Sequence, residues 1–433
     1  MAALQRKGSL VFSFILFCVL FLHFGVLEQS PMNPIGIKYV QEAYLAICLG
    51  FLVFFVLATV GTHNPDFNTL ISFGVFVSVV FIVLPALFSM LYYGQPFYYG
   101  LIEERRVLFA FSSILLLYVC KKLTSSQLEK TILAISLLAV VLSWLCFYEL
   151  LPDFRDREGA DLSRPGRSAV GVPGIILSYC LCVYYWQKGK SPLDGSVRSK
   201  HIYAVLAMVF LGTLIFVTQT RQILLLLAIF TVLQLKGRAV ILGGIGLMLM
   251  GPIVINPHLL DFTGINIDFY IQSAQNGTSD GVREWTVHQI FTHLADNYWL
   301  PSGSLSLMWN DGFQPYFGSY FFLSDVGVIG TLFRFGFLSA LIIPISFFVY
   351  YKTAIKLNRD LSFILPLFVG YLAIWPLQGI FEYLQSVTAI LFVFQAMRTR
   401  YRKEVPAPTA VMETRSLSPG AILYRSLHKP QLG

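Results

Sequence analysis

The sequence has little charge. Only 12% of its 433 residues are Asp, Glu, Lys or Arg, about half of the ~25% that is usual in soluble globular proteins. Apolar residues make up 56% of the chain, and its mean hydropathy is +0.68. A soluble fold of this length would expose far more polar surface. The composition therefore excludes a cytosolic globular enzyme, a disordered scaffold and a small secreted disulfide protein, and it indicates a protein that lies mostly in lipid.

Metal-binding and disulfide patterns are also missing. The 6 cysteines lie in or beside apolar runs without a C-x-x-C motif or a Cys/His cluster, so neither a zinc site nor a disulfide framework is expected. His288 and His293 do not share a helix face as i, i+4 ligands would. We therefore expect no metal and no cofactor. The net charge of +8 does not indicate a nucleic-acid partner, because membrane proteins usually carry such an excess in cytoplasmic loops.

Long apolar runs are abundant instead. A helix needs about 20 predominantly apolar residues to cross a bilayer. We predict about twelve such segments, at roughly 9–27, 42–61, 69–93, 105–120, 131–151, 169–186, 202–217, 222–235, 239–255, 326–350, 361–376 and 381–397. The expected fold is an all-α, polytopic integral membrane protein. With this count, the Lys and Arg residues of most short loops fall on one side, which the positive-inside rule assigns to the cytoplasm together with both termini.

The predicted organisation follows from these segments. It comprises N-terminal transmembrane helices (1–151), an Arg-rich outer loop (152–168), further transmembrane helices (169–255), a large outer loop (256–318), C-terminal transmembrane helices (319–397) and a disordered cytoplasmic tail (398–433). The 202–235 run is too long for one helix across a core of ~30 Å. A tight outer turn at 218–222 is therefore predicted, with Arg221 near the membrane boundary. A charge at that depth needs a partner, unless it serves as a snorkelling anchor.

Arginines occur on the predicted outer side, where the sign rule disfavours them. They are Arg155, Arg157, Arg164 and Arg167 in the 152–168 loop, Arg221 at the turn and Arg283 in the long loop. Guanidinium groups match phosphate oxygens in charge and geometry, so this set suits a lipid-linked diphosphate. The alternative is that mixed charges only solvate the loop. The charges of the EERR segment at 103–106 cancel, and these side chains are expected to pair among themselves.

A short helix is predicted within the long outer loop. In the segment 279–297, Val287, Ile290, Phe291 and Leu294 follow i, i+3, i+4, i+7 spacing, which is typical of an amphipathic helix that lies on the membrane or on the bundle. Aromatic residues follow at 299–320. They either anchor the loop among lipid headgroups or stack on sugar rings.

Motifs between about residues 150 and 350 resemble those of the O-antigen polymerase and O-antigen ligase superfamily. The segment TQTRQILLL at 218–226 resembles the T-x-[ST]-R-x-x-x-L turn of that family. REW at 283–285, LPSGS at 300–304 and GVIG at 327–330 follow in the family's order. Arg155 and Gly166 have the R-x10-G spacing of polymerase outer loops, which is not repeated from Arg283. The resemblance covers about 150–350, and the rest of the chain by span count only.

The resemblance implies a C-type membrane glycosyltransferase that works as a polysaccharide polymerase. Such an enzyme joins oligosaccharide repeat units carried on undecaprenyl diphosphate at the outer face of the bacterial inner membrane. The product would be O-antigen, a capsule or an exopolysaccharide such as a xanthan-like polymer. The implied partners are the lipid-linked oligosaccharide, membrane lipid, a chain-length-regulating co-polymerase and a flippase.

Roles for individual residues follow from this chemistry. Arg221 and Arg283 are expected to stabilise the charge that builds on the leaving diphosphate. The base that deprotonates the acceptor hydroxyl is Glu284, Asp280, Asp311 or Asp325, although Asp325 is equally suited to capping a helix. Further substrate contacts are predicted for Arg155, Arg164, Arg167, Asp280, Trp285, Asp311 and Tyr316.

One departure separates the two enzyme classes of the superfamily. Ligases usually have His-[Asn/Ser/Gln] nine residues before the G-x-x-G motif, and this chain has Tyr316 and Phe317 there. This favours a polymerase over a ligase that transfers finished glycan. A repeat-unit flippase is the non-enzyme alternative. It is less favoured because polar residues gather in predicted outer loops, whereas transporters place them near mid-membrane.

Overall fold

The computed structural model describes residues 2–29, 35–59, 64–151, 167–235, 278–318, 321, 323, 326–357, 362–375 and 385–404. Within these residues the structure has helices and no β-strand. In chain order the helices are α1 (Ala2–His23), α2 (Val40–Ala58), α3 (Pro65–Tyr93), α4 (Phe97–Glu103), α5 (Ser112–Cys120), α6 (Ser125–Phe147), α7 (Val172–Lys188), α8 (Lys200–Thr218), α9 (Arg221–Leu235), α10 (Thr278–Asp296), α11 (Gln314–Phe317), α12 (Gly327–Leu357), α13 (Ile364–Ile374) and α14 (Gln385–Glu404).

Among the described residues, 5 helices are long and apolar enough to cross a membrane: α2, α3, α6, α8 and α12. Three shorter apolar helices accompany them, at Leu10–His23, Gln222–Leu235 and Ile364–Ile374. The chain is therefore an all-helical, membrane-embedded protein, as its composition predicts. The segment predicted to span at 239–255 lies outside the described residues.

The helix bundle has two ends with different side chains. We call one the lysine end, which is formed by residues 121–127, 188–200 and 398–404. Tyr401 Oη donates a hydrogen bond to the Leu123 carbonyl oxygen (3.1 Å), and Ser125 contacts Asp194, so these three segments lie together. We call the other the arginine end; it is formed by residues 24–28, 103–106, 167–171, 218–221 and 300–306, which contact one another. Helix α7, with 17 residues, separates the two ends by about 25 Å.

Most of the bundle shares one apolar core. A continuous cluster of buried side chains extends from Leu16 in α1 to Met397 in α14. A second, smaller cluster joins Ile290 and Leu294 of α10 to Phe333 of α12. The second cluster fixes α10 against the bundle at the arginine end.

The predicted break in the 202–235 run is confirmed. Helix α8 ends in a π-helical turn at Leu214–Thr218, and α9 begins at Arg221. Between them Gln219 has a left-handed backbone, with φ of 52°. A residue in that conformation reverses the chain in a short distance, so two helices fit where one would be too long.

Several predicted boundaries differ from the structure, including those of α6 and α14. Helix α6 covers Ser125–Phe147 instead of 131–151, because Thr124 and Gln127 form a capping box that starts the helix early. Helix α14 continues to Glu404. The prediction of a disordered tail from 398 is therefore wrong for residues 398–404, and residues 405–433 lie outside the described residues.

Candidate functional site at the arginine end

Arg167 is attached to the turn that precedes Arg221. Its Nε donates to the carbonyl oxygen of Thr218 (3.0 Å), and its Nη2 donates to Thr220 Oγ1 (3.1 Å). The next residue, Ser168, donates its backbone N–H to the Val217 carbonyl oxygen (3.2 Å). The structure thus brings two of the sequence-predicted arginine positions to one place.

This turn also presents the start of a helix. Thr220 accepts backbone hydrogen bonds from Ile223 (3.1 Å) and Leu224 (3.3 Å) as α9 begins. The first N–H groups of a helix have no partner within the helix, and they carry partial positive charge. Arg167 therefore lies beside a helix N-terminus of 15-residue α9, where an anion is stabilised.

Three buried polar atoms beside Arg167 have no hydrogen-bond partner within the described structure. They are Ser168 Oγ, Thr218 Oγ1 and Gln219 Oε1, on residues that are 1%, 2% and 4% exposed. Buried polar groups in proteins are nearly always hydrogen-bonded. The turn consequently has unused hydrogen-bonding capacity directly beside a guanidinium group.

A second charged centre at this end is an ion pair between Glu104 and Arg334. Arg334 Nη2 lies 3.2 Å from Glu104 Oε1, and both side chains are less than a tenth exposed. Ser304 Oγ donates a 2.6 Å hydrogen bond to the same carboxylate oxygen. The pair thus joins the 103–106 segment, α12 and the 300–306 segment inside the bundle.

The 301–306 segment enters the bundle without being helical. Its backbone N–H groups find hydrogen-bond acceptors on two neighbouring helices. Gly303 N–H donates to the Arg334 carbonyl oxygen (3.0 Å), and Ser304 N–H donates to the Pro85 carbonyl oxygen (3.3 Å). Gln95 holds it from a third side, since its Oε1 accepts from Ser306 N–H (2.8 Å) and its Nε2 donates to the Ser304 carbonyl oxygen (3.1 Å). Buried irregular backbone requires such internal partners, because its N–H and C=O groups cannot reach water.

The EERR segment does not pair internally as predicted. Arg105 pairs with Glu42 (2.8 Å) and Arg106 with Glu28 (3.2 Å), while Glu104 pairs with Arg334. The local prediction is wrong because segments that are distant in the chain bring opposite charges next to Glu104, Arg105 and Arg106. The remaining charged residue of the 103–106 segment is Glu103. Burial, together with the charge of Glu104, raises its pKa.

The predicted amphipathic helix is confirmed as α10. Ile290 and Leu294 are fully buried and Val287 packs beside them, whereas Phe291 remains 40% exposed. Glu284 and Trp285 lie off this buried stripe and are exposed, and Arg283 is half-buried.

His293 connects α10 to the 301–306 segment. Its Nε2 lies 2.9 Å from Ser302 Oγ, and its Nδ1 lies 3.3 Å from Asn297 Nδ2. The ring also packs against Phe317 and Phe333, at centroid distances of 5.1 and 5.2 Å. Burial lowers its pKa, and the charge of Asp296 opposes this shift. The sequence alone raises His293 as a metal ligand or as a substitute for the ligase histidine, and it does not predict this structural role.

The remaining predicted residues are distributed as follows. Tyr316 is exposed and packs against Tyr93 at a ring distance of 4.8 Å. Asp311 is exposed in a left-handed turn with φ of 54°. Asp280 lies in the first turns of α10, and its side chain, like that of Arg221, is outside the described residues; so are Arg155, Arg164 and Asp325 entirely.

Arg167 and Arg283 have their described surroundings on different elements of the arginine end. Arg167 contacts the 218–220 turn, whereas α10, which carries Arg283, packs against α12 and the 301–306 segment. Among the described residues, no group of three or more His, Cys, Asp or Glu side chains is placed to hold a metal ion.

Sequence reasoning missed the connection between Glu104, Arg334 and Gln95. A signal was present, because Arg334 is a charge within an apolar helix and such charges need partners. Which residue supplies that partner depends on the fold, since Glu104 is far away in the chain.

A search of protein-family models and of curated protein sequences finds no match to this chain.

Proposed function

We propose that the protein is a polysaccharide polymerase of the bacterial inner membrane. It would join oligosaccharide repeat units carried on undecaprenyl diphosphate at the outer face. The observation that carries this proposal is the attachment of Arg167 to the turn before Arg221. Positively charged groups held in place beforehand stabilise a diphosphate leaving group without reorganising during the reaction.

The chemistry that this site would support is a glycosyl transfer. The acceptor hydroxyl attacks the anomeric carbon of the donor sugar, the bond from that carbon to the diphosphate oxygen breaks, and undecaprenyl diphosphate leaves. The proton of the hydroxyl passes to a carboxylate, for which Glu284 is the exposed candidate on α10. Arg167 and the N-terminus of α9 receive the negative charge of the diphosphate.

The proposed orientation places the arginine end outside and the lysine end in the cytoplasm. The lysines and arginines near residues 121, 188 and 398 would then follow the positive-inside rule. About twelve transmembrane segments would bring both termini to the cytoplasmic side. In that topology α10 and the 301–306 segment belong to the large outer loop.

The ligase alternative is disfavoured by the environment of the nearest histidine. His293 has both ring nitrogens close to side chains of its own neighbourhood, at Ser302 and Asn297. Aromatic rings cover its faces. It is therefore suited to holding α10 in place, and Tyr316 occupies the position where a ligase carries its histidine.

The decisive experiment compares the surface glycan of a strain that lacks the gene with that of the complemented strain. If the protein is a polymerase, the deletion strain accumulates glycan of a single repeat unit. Long glycan that stays on the carrier lipid would instead identify a ligase. Loss of lipid-linked intermediates from the outer leaflet would identify a flippase.

A further inference from the structure

A cavity lined by polar and apolar side chains lies at the lysine end of the bundle, opposite the arginine end. It has a volume of ≈ 660 Å³ and lies between the end of α7, the segment that follows it and the last turns of α14. Cavities of ~300–1,000 Å³ are typical of small-ligand sites. Among the described residues that line it, the charged ones are Lys188, Lys190, Arg398, Arg402 and Asp194.

One wall of this cavity is a short hairpin at 189–198. A β-bridge joins Lys190 to Val197, and Ser191 N–H donates to the Ser196 carbonyl oxygen (2.8 Å). The hairpin is anchored on α6 by Glu129, which is 1% exposed and accepts hydrogen bonds from Ser191 Oγ and Arg198 Nη2. Lys190 is therefore attached to a fixed backbone.

The facing wall is the C-terminal part of α14. Arg400 Nη2 and Tyr401 Oη both donate to the Leu123 carbonyl oxygen, at 3.4 and 3.1 Å. Arg398 Nη1 lies 3.4 Å from Ser362 Oγ. These contacts hold α14 against the α5–α6 connection and keep Arg398 and Arg402 at the cavity.

Among the described residues that line the cavity, Asp194 is the one carboxylate, and its single negative charge does not offset four cations. Asp194 accepts hydrogen bonds from Ser125 Oγ and from Ser196 N–H (2.9 Å). Although burial raises the pKa of Asp194, these hydrogen bonds outweigh it and the pKa is lowered. Lys188 and Lys190 are exposed, and no ion pair within the described structure occupies either of them.

We infer that this cavity binds the phosphate group of an anionic phospholipid from the leaflet around the lysine end. Several basic groups at a membrane surface attract an anionic headgroup strongly. Apolar lining from Tyr184, Pro192 and Leu193 suits the glycerol and upper acyl carbons of a lipid better than it suits free phosphate. The inference does not depend on the proposed function, because the site lies at the other end of the bundle.

The test measures lipid binding by the full-length protein purified in neutral detergent. Native mass spectrometry would count bound phosphatidylglycerol and, separately, phosphatidylcholine of the same chain length. The variant Lys188→Gln/Lys190→Gln removes two cations from the cavity. The matched control Lys122→Gln/Lys130→Gln removes two exposed lysines, one at the lysine end and one in the second turn of α6, and neither lines the cavity. A third arm replaces the lipid with inorganic phosphate.

We expect phosphatidylglycerol to bind more tightly than phosphatidylcholine and to bind about thirtyfold more weakly to the cavity variant. The control variant should retain wild-type affinity. Inorganic phosphate could instead bind to the wild-type protein and not to the Lys188→Gln/Lys190→Gln variant. The cavity would then still be an anion site, and its ligand would be a soluble phosphate. Equal affinities for both lipids without phosphate binding, or equal losses in the two double variants, would overturn the inference.

Discussion

Arg334 Nη2 and Glu104 Oε1 lie 3.2 Å apart inside the bundle, although 230 positions of the 433-residue chain separate them. Ser304 adds its hydroxyl to the same carboxylate. Three segments that are distant in sequence are thereby fixed to one another at the arginine end. The stability of this end should depend on that contact.

Removing one partner of this buried pair should destabilise the protein strongly. We expect Arg334→Met to lower the free energy of unfolding by about 3–5 kcal/mol, because Glu104 would remain buried without its counter-charge. Thermal unfolding in detergent measures this effect. The matched control is Arg106→Gln, which breaks the exposed pair with Glu28 and should change stability by about 0–1 kcal/mol. Equal effects of the two variants would show that burial of the pair is unimportant.

Gly303 should tolerate no side chain. It has φ of +70°, and an added Cβ would lie 2.2 Å from the Pro85 carbonyl oxygen and 2.4 Å from the Ser89 nitrogen. Gly303→Ala should therefore displace the 301–306 segment and expose it to limited proteolysis. Gly94→Ala is the control, since Gly94 has a similar φ of +74° with nothing within 4 Å. Backbone strain should lower the free energy of unfolding of the Gly94→Ala variant by only about 1–2 kcal/mol. Similar protease sensitivity in both variants would argue against a close approach at Gly303.

Docking of α10 should weaken in mild acid. Burial lowers the pKa of His293 below 6.5, the usual value for a histidine side chain, so the folded state favours the neutral ring. Its contribution to stability is fully present above pH 6.5 and is lost as the pH falls toward the lower folded pKa. Unfolding temperatures recorded from pH 5 to pH 8 should therefore fall at the acidic end. His293→Asn should flatten this part of the profile, and an unchanged profile would show that His293 does not titrate there.

Arg167 should be required for chain growth if the proposed function is right. Arg167→Ala should reduce polymerisation by about 10²–10³-fold through lost stabilisation of the leaving diphosphate, with the protein still inserted in the membrane. Arg167→Lys should restore part of the rate, because the charge remains while the forked geometry is lost. Glycan length on gels and protein abundance in membranes measure the two effects. The control is Arg106→Ala, at an exposed arginine of the same end, which should leave glycan length normal. Glycan of normal length from the Arg167→Ala variant would show that Arg167 has no part in the mechanism.

Local sequence patterns predicted those features that depend on nearby residues. The turn before Arg221 follows from a run that is too long for one span, and α10 follows from apolar spacing that places Ile290 and Leu294 on one buried face. The start of α6 was misplaced because the capping box of Thr124 and Gln127 is a stronger signal than hydropathy. The helical state of residues 398–404 was missed because Tyr401 and Arg400 gain partners on a distant segment.

The amino-acid sequence is enough to predict a helical protein embedded in a membrane, because apolar composition and run length depend only on the chain and its solvent. It also placed a chain reversal directly before Arg221. Three relationships come from the packing of the helices: Arg167 attaches to that turn, Glu104 neutralises Arg334, and four cations line a cavity at the lysine end. These relationships join residues from different helices, and the pairing of distant charges is set by how the helices pack and not by their spacing in the chain.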